Sequence, residues 1–128
     1  MKPLAAFFLL IALTSPLHSD PVNGVANPSF EEGTRGWDSL WCREEGKGTA
    51  TVVTGTVHQS SHALKVEYQG DRDWSFSQEA QLPVKPGEVY AFSGWIKTEQ
   101  ARGTGQGQLS VVTRDAQSQV MDWLWGMK

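Results

Sequence analysis

The chain has 128 residues, which is the size of a single domain. Its formal net charge of −3 argues against a nucleic-acid partner, because such a partner requires a concentrated basic surface. The single cysteine, Cys42, rules out an intramolecular disulfide, and no nucleophile signature surrounds it, so we expect a half-buried, unreactive thiol.

Residues 1–19 have the pattern of a secretory signal peptide. Lys2 supplies the charged start, residues 4–13 form an apolar run, and residues 15–19 offer small side chains for cleavage. The apolar run is short for a bilayer span and is followed by Pro16, so a membrane anchor is the less favoured interpretation. We predict a mature chain of residues 20–128 that is secreted or periplasmic.

The mature region is predicted to be all-β, with short strands and no helix of useful length. The first strands are expected at Thr49–Thr54 and at Ala63–Tyr68, where Leu64, Val66 and Tyr68 alternate with charged residues. A longer strand is expected over Trp74–Val84, which ends at a turn over residues 85–87.

The longest predicted strand is Val89–Glu99, with Tyr90, Phe92 and Ile96 facing the core and Trp95 facing away. A glycine-rich loop over residues 101–107 follows, and then a hairpin of Gln108–Arg114 and Gln119–Trp125. Short strands at this spacing favour a two-sheet β-sandwich.

Two motifs carry a resemblance to a known family. Residues 27–33 read Asn-Pro-Ser-Phe-Glu-Glu-Gly and are followed by Gly36-Trp37, and residues 82–95 end in Phe-Ser-Gly-Trp. In this order and at this separation, the motifs resemble carbohydrate-binding modules of the family 4, 9 and 22 type. The resemblance implies a secreted jelly-roll β-sandwich of the galactose-binding-like architecture. It runs from Val22 to the end of the sequence, where the last strands of such modules are missing, so we expect the amino-terminal part of a longer protein or a truncated reading frame.

Tryptophan is the residue type to examine for binding, and all six tryptophans lie in the mature region. A flat indole stacks on the apolar face of a sugar ring, and neighbouring polar groups pair with the hydroxyls. Trp74 opens a predicted strand after the acidic turn over residues 70–73, and the resemblance implies a sugar-stacking aromatic near this position. Gln78 follows on the same predicted strand face. The alternative for Trp74 is a buried strand residue.

The other tryptophans divide between binding and packing. Trp95 faces away from the predicted core, whereas Trp37 follows the Gly-Trp pattern of a core residue and Trp41 is expected in the core or at its rim. Trp123 and Trp125 share a strand face, as a second platform or as the cover of one sheet, with core packing slightly favoured. The candidate carbohydrate-binding residues are therefore Trp74, Gln78, Trp95, Trp123 and Trp125.

The resemblance also implies a structural calcium ion. Its ligands would be the Ser29 carbonyl, the Glu31 carboxylate, Gln59 and the His62 carbonyl. Gln59 departs from the carboxylate often found at that place, and a late acidic ligand of such modules is absent. Because calcium prefers six to eight oxygen ligands, many of them charged, we expect weak binding. The alternative is that Glu31 is merely solvated.

The sequence contains no recognisable catalytic set. Its acidic pairs, such as Glu31 with Glu32 or Asp71 with Asp73, are adjacent or alternate on predicted loops, where such residues are usually solvated. We therefore predict a non-catalytic carbohydrate-binding module that targets an attached enzyme to polysaccharide, with no nucleic-acid or membrane partner. The alternatives are a structural or adhesive β-sandwich without a sugar site, and an enzyme whose catalytic domain lies downstream. The sequence does not identify the polysaccharide.

Overall fold

The computed structural model describes residues 22–100 and 107–126, and regular structure in this part is entirely antiparallel β. The predicted signal peptide and residues 101–106 of the predicted glycine-rich loop lie outside the described residues. Within the described ranges, no helix has the length and apolar character needed to cross a bilayer. The strands are β1 (Trp41–Cys42), β2 (Gly48–Val53), β3 (Ala63–Tyr68), β4 (Trp74–Ser75), β5 (Ser110–Arg114) and β6 (Val120–Trp125).

The β2–β3 hairpin forms as the alternating pattern predicts. Ala50 pairs with Val66 and Val52 with Leu64, and these side chains are half-buried on one face of the ribbon. The intervening residues of β3 are exposed, and among them Lys65 Nζ lies 2.9 Å from a Glu67 carboxylate oxygen. A strand with one covered face favours this alternation, because successive side chains point to opposite sides.

The β1–β4 ribbon is short but brings together segments that are far apart in the sequence. Trp41 pairs with Ser75 and Cys42 pairs with Trp74. The Cys42 thiol is half-buried, as predicted. Since residues directly opposite each other in an antiparallel pair share a face, Trp74 lies on the Cys42 side of the ribbon and Trp41 lies on the other side.

The β5–β6 hairpin is confirmed close to its predicted position. Its turn is organised by Asp115, whose carboxylate accepts hydrogen bonds at 2.9 Å from the backbone N–H groups of Gln117 and of Gln119. Side chains on β6 are exposed on both faces, whereas Val111, Val112 and Thr113 of β5 are half-buried. The outer edge of β6 has no paired strand among the described residues.

One predicted strand is shorter than expected and a second does not form. The strand expected over Trp74–Val84 is limited to Trp74–Ser75, with one isolated bridge between Gln78 and Trp37. No strand forms over Val89–Glu99, and Tyr90, Phe92 and Ile96 are each about half exposed there instead of lying in a core. A strand requires a neighbour for its N–H and C=O groups, and no strand of the described part pairs with residues 89–99.

The best-packed apolar cluster is aromatic and joins the amino-terminal loop to the chain after β4. The Trp37 ring lies between Phe30 and Phe76, with centroid separations of 5.1 and 5.4 Å. Trp37 therefore packs between two aromatic rings, and it is half-buried where the Gly-Trp pattern predicts a core residue. The described residues confirm the predicted all-β class, since they form three two-stranded antiparallel ribbons, and no apolar side chain among them is fully buried.

Asn27 explains why the amino-terminal motif has its particular composition. Its side-chain amide donates to the carbonyls of Gly33 and Arg35 at 2.9 and 3.1 Å, and its side-chain oxygen accepts from the Glu32 N–H. Its backbone carbonyl accepts a hydrogen bond of 3.2 Å from the Trp37 indole N–H. The residue has a φ of 43°, a left-handed conformation that asparagine tolerates better than most residues. The motif is thus a structural loop that positions the aromatic cluster.

Candidate functional site

Trp74 lies at the start of β4 with its side chain partly open to solvent. Its residue exposure is 36%, and the Tyr68 ring packs against it at a centroid distance of 6.5 Å. Tyr68 is the last residue of β3, so the ring supports Trp74 from a neighbouring ribbon. The structure therefore places Trp74 between the two alternatives of the sequence analysis, since the indole is neither free nor buried.

Glu44 holds the turn that precedes Trp74. One Glu44 carboxylate oxygen accepts hydrogen bonds from the backbone N–H groups of Asp71 and Arg72 at 2.7 and 2.9 Å, and from the Tyr68 hydroxyl at 3.1 Å. These donors lower the pKa of Glu44, the Arg72 N–H most strongly. Glu44 thereby fixes the turn that leads into Trp74 and the aromatic ring that supports it.

Arg43 holds the same turn from the opposite face of β1. Its guanidinium donates two hydrogen bonds to the Asp73 carboxylate, the Nη2 bond measuring 2.8 Å, and its backbone N–H donates to the Asp73 carbonyl at 3.0 Å. The hydrogen bonds from Arg43 lower the pKa of Asp73 to about 2, so the carboxylate is charged at neutral pH. The guanidinium also lies 5.4 Å from the centroid of the Trp41 ring.

Gln78 has a structural role in this structure. Its carboxamide makes a pair of hydrogen bonds with the backbone of Ala26, accepting from the N–H at 2.9 Å and donating to the C=O at 3.1 Å. Because β4 ends at Ser75, Gln78 does not continue the Trp74 strand. Contact between Gln78 and sugar hydroxyls stays a prediction.

The remaining aromatic candidates lie elsewhere. Trp95 is 75% exposed and stacks on His58 with a centroid distance of 3.8 Å. Trp123 and Trp125 stack on each other along β6 at 5.6 Å with an interplanar angle of 14°, and each is at least half exposed. Both indoles are thus exposed on β6, where the sequence slightly favours core packing. No aromatic contact in the described part joins either group to Trp74.

The four residues implied for calcium include a carboxylate that is already hydrogen-bonded. Glu31 accepts from the backbone N–H groups of Ser61 and His62 at 2.8 and 3.1 Å, and its second oxygen lies 2.7 Å from His62 Nδ1. The His62 carbonyl accepts a hydrogen bond of 2.6 Å from the Ser60 hydroxyl. Calcium would have to compete with these nitrogen donors for the Glu31 oxygens, so the hydrogen-bonded carboxylate fits a cation poorly.

No group of three or more His, Cys, Asp or Glu side chains with metal-binding geometry occurs within residues 22–100 and 107–126. The Ser29 carbonyl and the Gln59 side chain are uncharged, so they add no charged ligand to Glu31. Calcium binding therefore stays a prediction.

Sequence reasoning missed Trp41, Arg43 and Glu44. Trp41 was expected in the core or at its rim, but it is 49% exposed. The signal that was available is the alternation Trp41, Cys42, Arg43, Glu44, which assigns one aromatic and one charged residue to a common face. The contact of Arg43 with Asp73 depends on the β1–β4 pairing, which joins segments about thirty residues apart.

The described part of the chain is an antiparallel β domain that carries partly exposed indoles on short ribbons. Such a surface suits extended polar ligands that have apolar faces, and sugars are of this kind. Residues 22–128 match the protein family described as carbohydrate binding domain, of types 4 and 9. The chain belongs to this family, as the two sequence motifs predict. Comparisons with curated proteins and with solved structures gave no match.

Proposed function

We propose that this chain is a secreted, non-catalytic carbohydrate-binding module that targets an attached enzyme to polysaccharide. The observation that carries the proposal is the environment of Trp74 at the start of β4. Its indole packs against the Tyr68 ring, and 36% of the residue is open to solvent. A supported, partly exposed indole loses little conformational entropy when a sugar ring stacks on it.

The surroundings of Trp74 support the same function. The turn before it is fixed from both sides of β1, through Glu44 on one face and Arg43 on the other. Such a turn holds the platform in one orientation before the ligand arrives, and preorganisation of this kind raises affinity. Attachment to an enzyme would turn modest affinity into a high local substrate concentration for the catalytic domain.

Trp74→Ala tests the platform. We expect the variant to lose about 1–3 kcal/mol of binding free energy, the amount typical of one aromatic–ligand stacking contact, and to remain folded. The measurement is affinity electrophoresis of wild type and variant through gels that contain xylan, β-glucan or mannan, with circular dichroism to monitor the fold.

Val89→Ala is the control, because Val89 is 97% exposed and its truncation removes little packing. A folded Trp74→Ala variant with wild-type retention would show that Trp74 is not the platform, and Trp123 and Trp125 would then be tested. An unfolded variant would return Trp74 to a packing role.

A further inference from the structure

The β1–β4 ribbon has a second exposed face, on the side opposite Trp74. Trp41 pairs with Ser75, and the side-chain contacts of Arg43 with Asp73 and with Trp41 place both charged residues on this side. We call these four residues, Trp41, Arg43, Asp73 and Ser75, the Trp41 face. None of the sequence motifs pointed to it.

Solvent reaches every member of the Trp41 face. Trp41 is 49% exposed, the side chains of Arg43 and Asp73 are 54% and 59% exposed, and Ser75 is exposed. An indole that serves only to fill a core is normally covered, as Trp37 is by two phenylalanine rings. Trp41 instead has the guanidinium of Arg43 at 5.4 Å from its ring centroid, which orients the indole without enclosing it.

The polar groups beside Trp41 suit a neutral ligand with neighbouring hydroxyls. The Arg43–Asp73 pair carries no net charge, and two of the five guanidinium N–H donors are used within it. The remaining N–H groups, the free carboxylate lone pairs and the Ser75 hydroxyl offer donors and acceptors at the edge of the indole. A sugar ring presents a matching set, with an apolar face for the indole and hydroxyls around its rim.

We propose that the Trp41 face is a second sugar-contact subsite, specific for neutral rather than acidic polysaccharide. The inference rests on the proposed function and extends it, because it gives the β1–β4 ribbon an indole contact on each face. Since the faces point in opposite directions, the two subsites engage separate stretches of polysaccharide. Their combined retention therefore exceeds that of each subsite alone through effective concentration.

Trp41→Ala in the full chain is the first test. Affinity electrophoresis through xylan, β-glucan and mannan gels is run beside wild type, Trp74→Ala and the Val89→Ala control. We expect Trp41→Ala to weaken retention by about tenfold, the factor that corresponds to one lost stacking contact, with an unchanged melting temperature.

The outcomes separate this inference from the function on which it rests. Wild-type retention by a folded Trp41→Ala variant, together with loss of retention by Trp74→Ala, would overturn the second subsite and leave the proposed function intact. Absence of retention by the wild-type chain on every neutral polysaccharide would overturn both.

Asp73→Asn tests the neutral specificity while every aromatic side chain is kept. The substitution removes the charge that balances Arg43. We therefore expect polygalacturonate to retain the variant and not to retain the wild type. Glu32→Gln is the matched control, since it unpairs Arg35 in another exposed ion pair, 2.7 Å long. Retention of wild type by polygalacturonate, or equal gains in both variants, would overturn the assignment of a neutral ligand.

Discussion

Glu31 joins two segments that lie far apart in the sequence. Its carboxylate contacts the backbone N–H groups of Ser61 and His62 and the His62 ring, so the amino-terminal loop is attached to the loop that precedes β3. The hydrogen bond from His62 is the largest cause of a lowered pKa for Glu31. A carboxylate with these partners stabilises the fold through hydrogen bonds.

Glu31→Gln distinguishes the two roles. If the Glu31 carboxylate stabilises the fold by accepting hydrogen bonds from nitrogen donors, the variant should melt at a lower temperature than wild type. The difference should be the same in calcium and in chelator, because in both the amide lacks the charged acceptor for His62. Calcium should raise the wild-type melting temperature only slightly, by the linkage that applies to a weak ligand of the folded state. Thermal melts of wild type, Glu31→Gln and the exposed control Glu32→Gln provide the comparison. A large rise with calcium that disappears only in Glu31→Gln would identify a metal ligand instead.

Single residues were predictable where local pattern decides their environment. The Gly-Trp pattern predicted the packed position of Trp37, whereas for Trp74 the sequence left open a sugar platform and a buried strand residue. Partners across space were not predictable. Gln78 bonds to Ala26, and Glu31 bonds to His62, because of which loops meet in the fold, and sequence spacing carries no information on that.

At the scale of elements, β2 depends on a glycine at its first position. A Cβ built on Gly48 would lie 2.6 Å from Cys42 Sγ, 2.9 Å from Leu40 Cδ2 and 3.2 Å from Tyr68 Cδ2. This close approach brings β1 against the β2–β3 hairpin. Gly48 thus couples the hairpin to the ribbon that presents Trp74.

Gly48→Ala should destabilise the fold by about 1–3 kcal/mol, the usual cost of forcing an extra methyl group into a packed contact. Gly55→Ala is the matched control, because nothing lies within 4 Å of a Cβ at that position and its φ is not in the left-handed region. Urea unfolding of the two variants and wild type measures the difference. Equal midpoints for both variants would mean that the contact around Gly48 is loose.

Elements with one half-buried face were the predictable ones. The strand at Ala63–Tyr68 was predicted with its observed bounds, because its charged residues face solvent and its apolar residues face neighbours. The segment 89–99 has similar alternation, yet it forms no strand. Alternation specifies which side a side chain prefers, but backbone pairing needs a second strand alongside, and none in the described part pairs with this segment.

At the scale of the whole molecule, the described contacts nearest to the predicted cleavage site are made by residues 23–27. Val22 is 94% exposed, and the first hydrogen bonds to a distant residue are those between Ala26 and Gln78. Asn27 then makes the bonds that organise the amino-terminal loop. A mature chain that starts at Asp20 would therefore retain every described contact. Loss of residues 1–19 removes one of the eleven basic residues and none of the fourteen acidic ones, which gives a net charge of −4.

Two measurements test this boundary. We expect amino-terminal sequencing of exported protein to give a start between Pro16 and Pro21, with Asp20 as the first residue. A chain that starts at Asp20 should melt at the same temperature as the exported product, whereas one that starts at Pro28 should melt lower, because it lacks the Ala26–Gln78 pair and the Asn27 side chain. An exported product that begins at Met1 would contradict the signal peptide. Equal melting temperatures for the starts at Asp20 and Pro28 would show that the loop organised by Asn27 contributes nothing to stability.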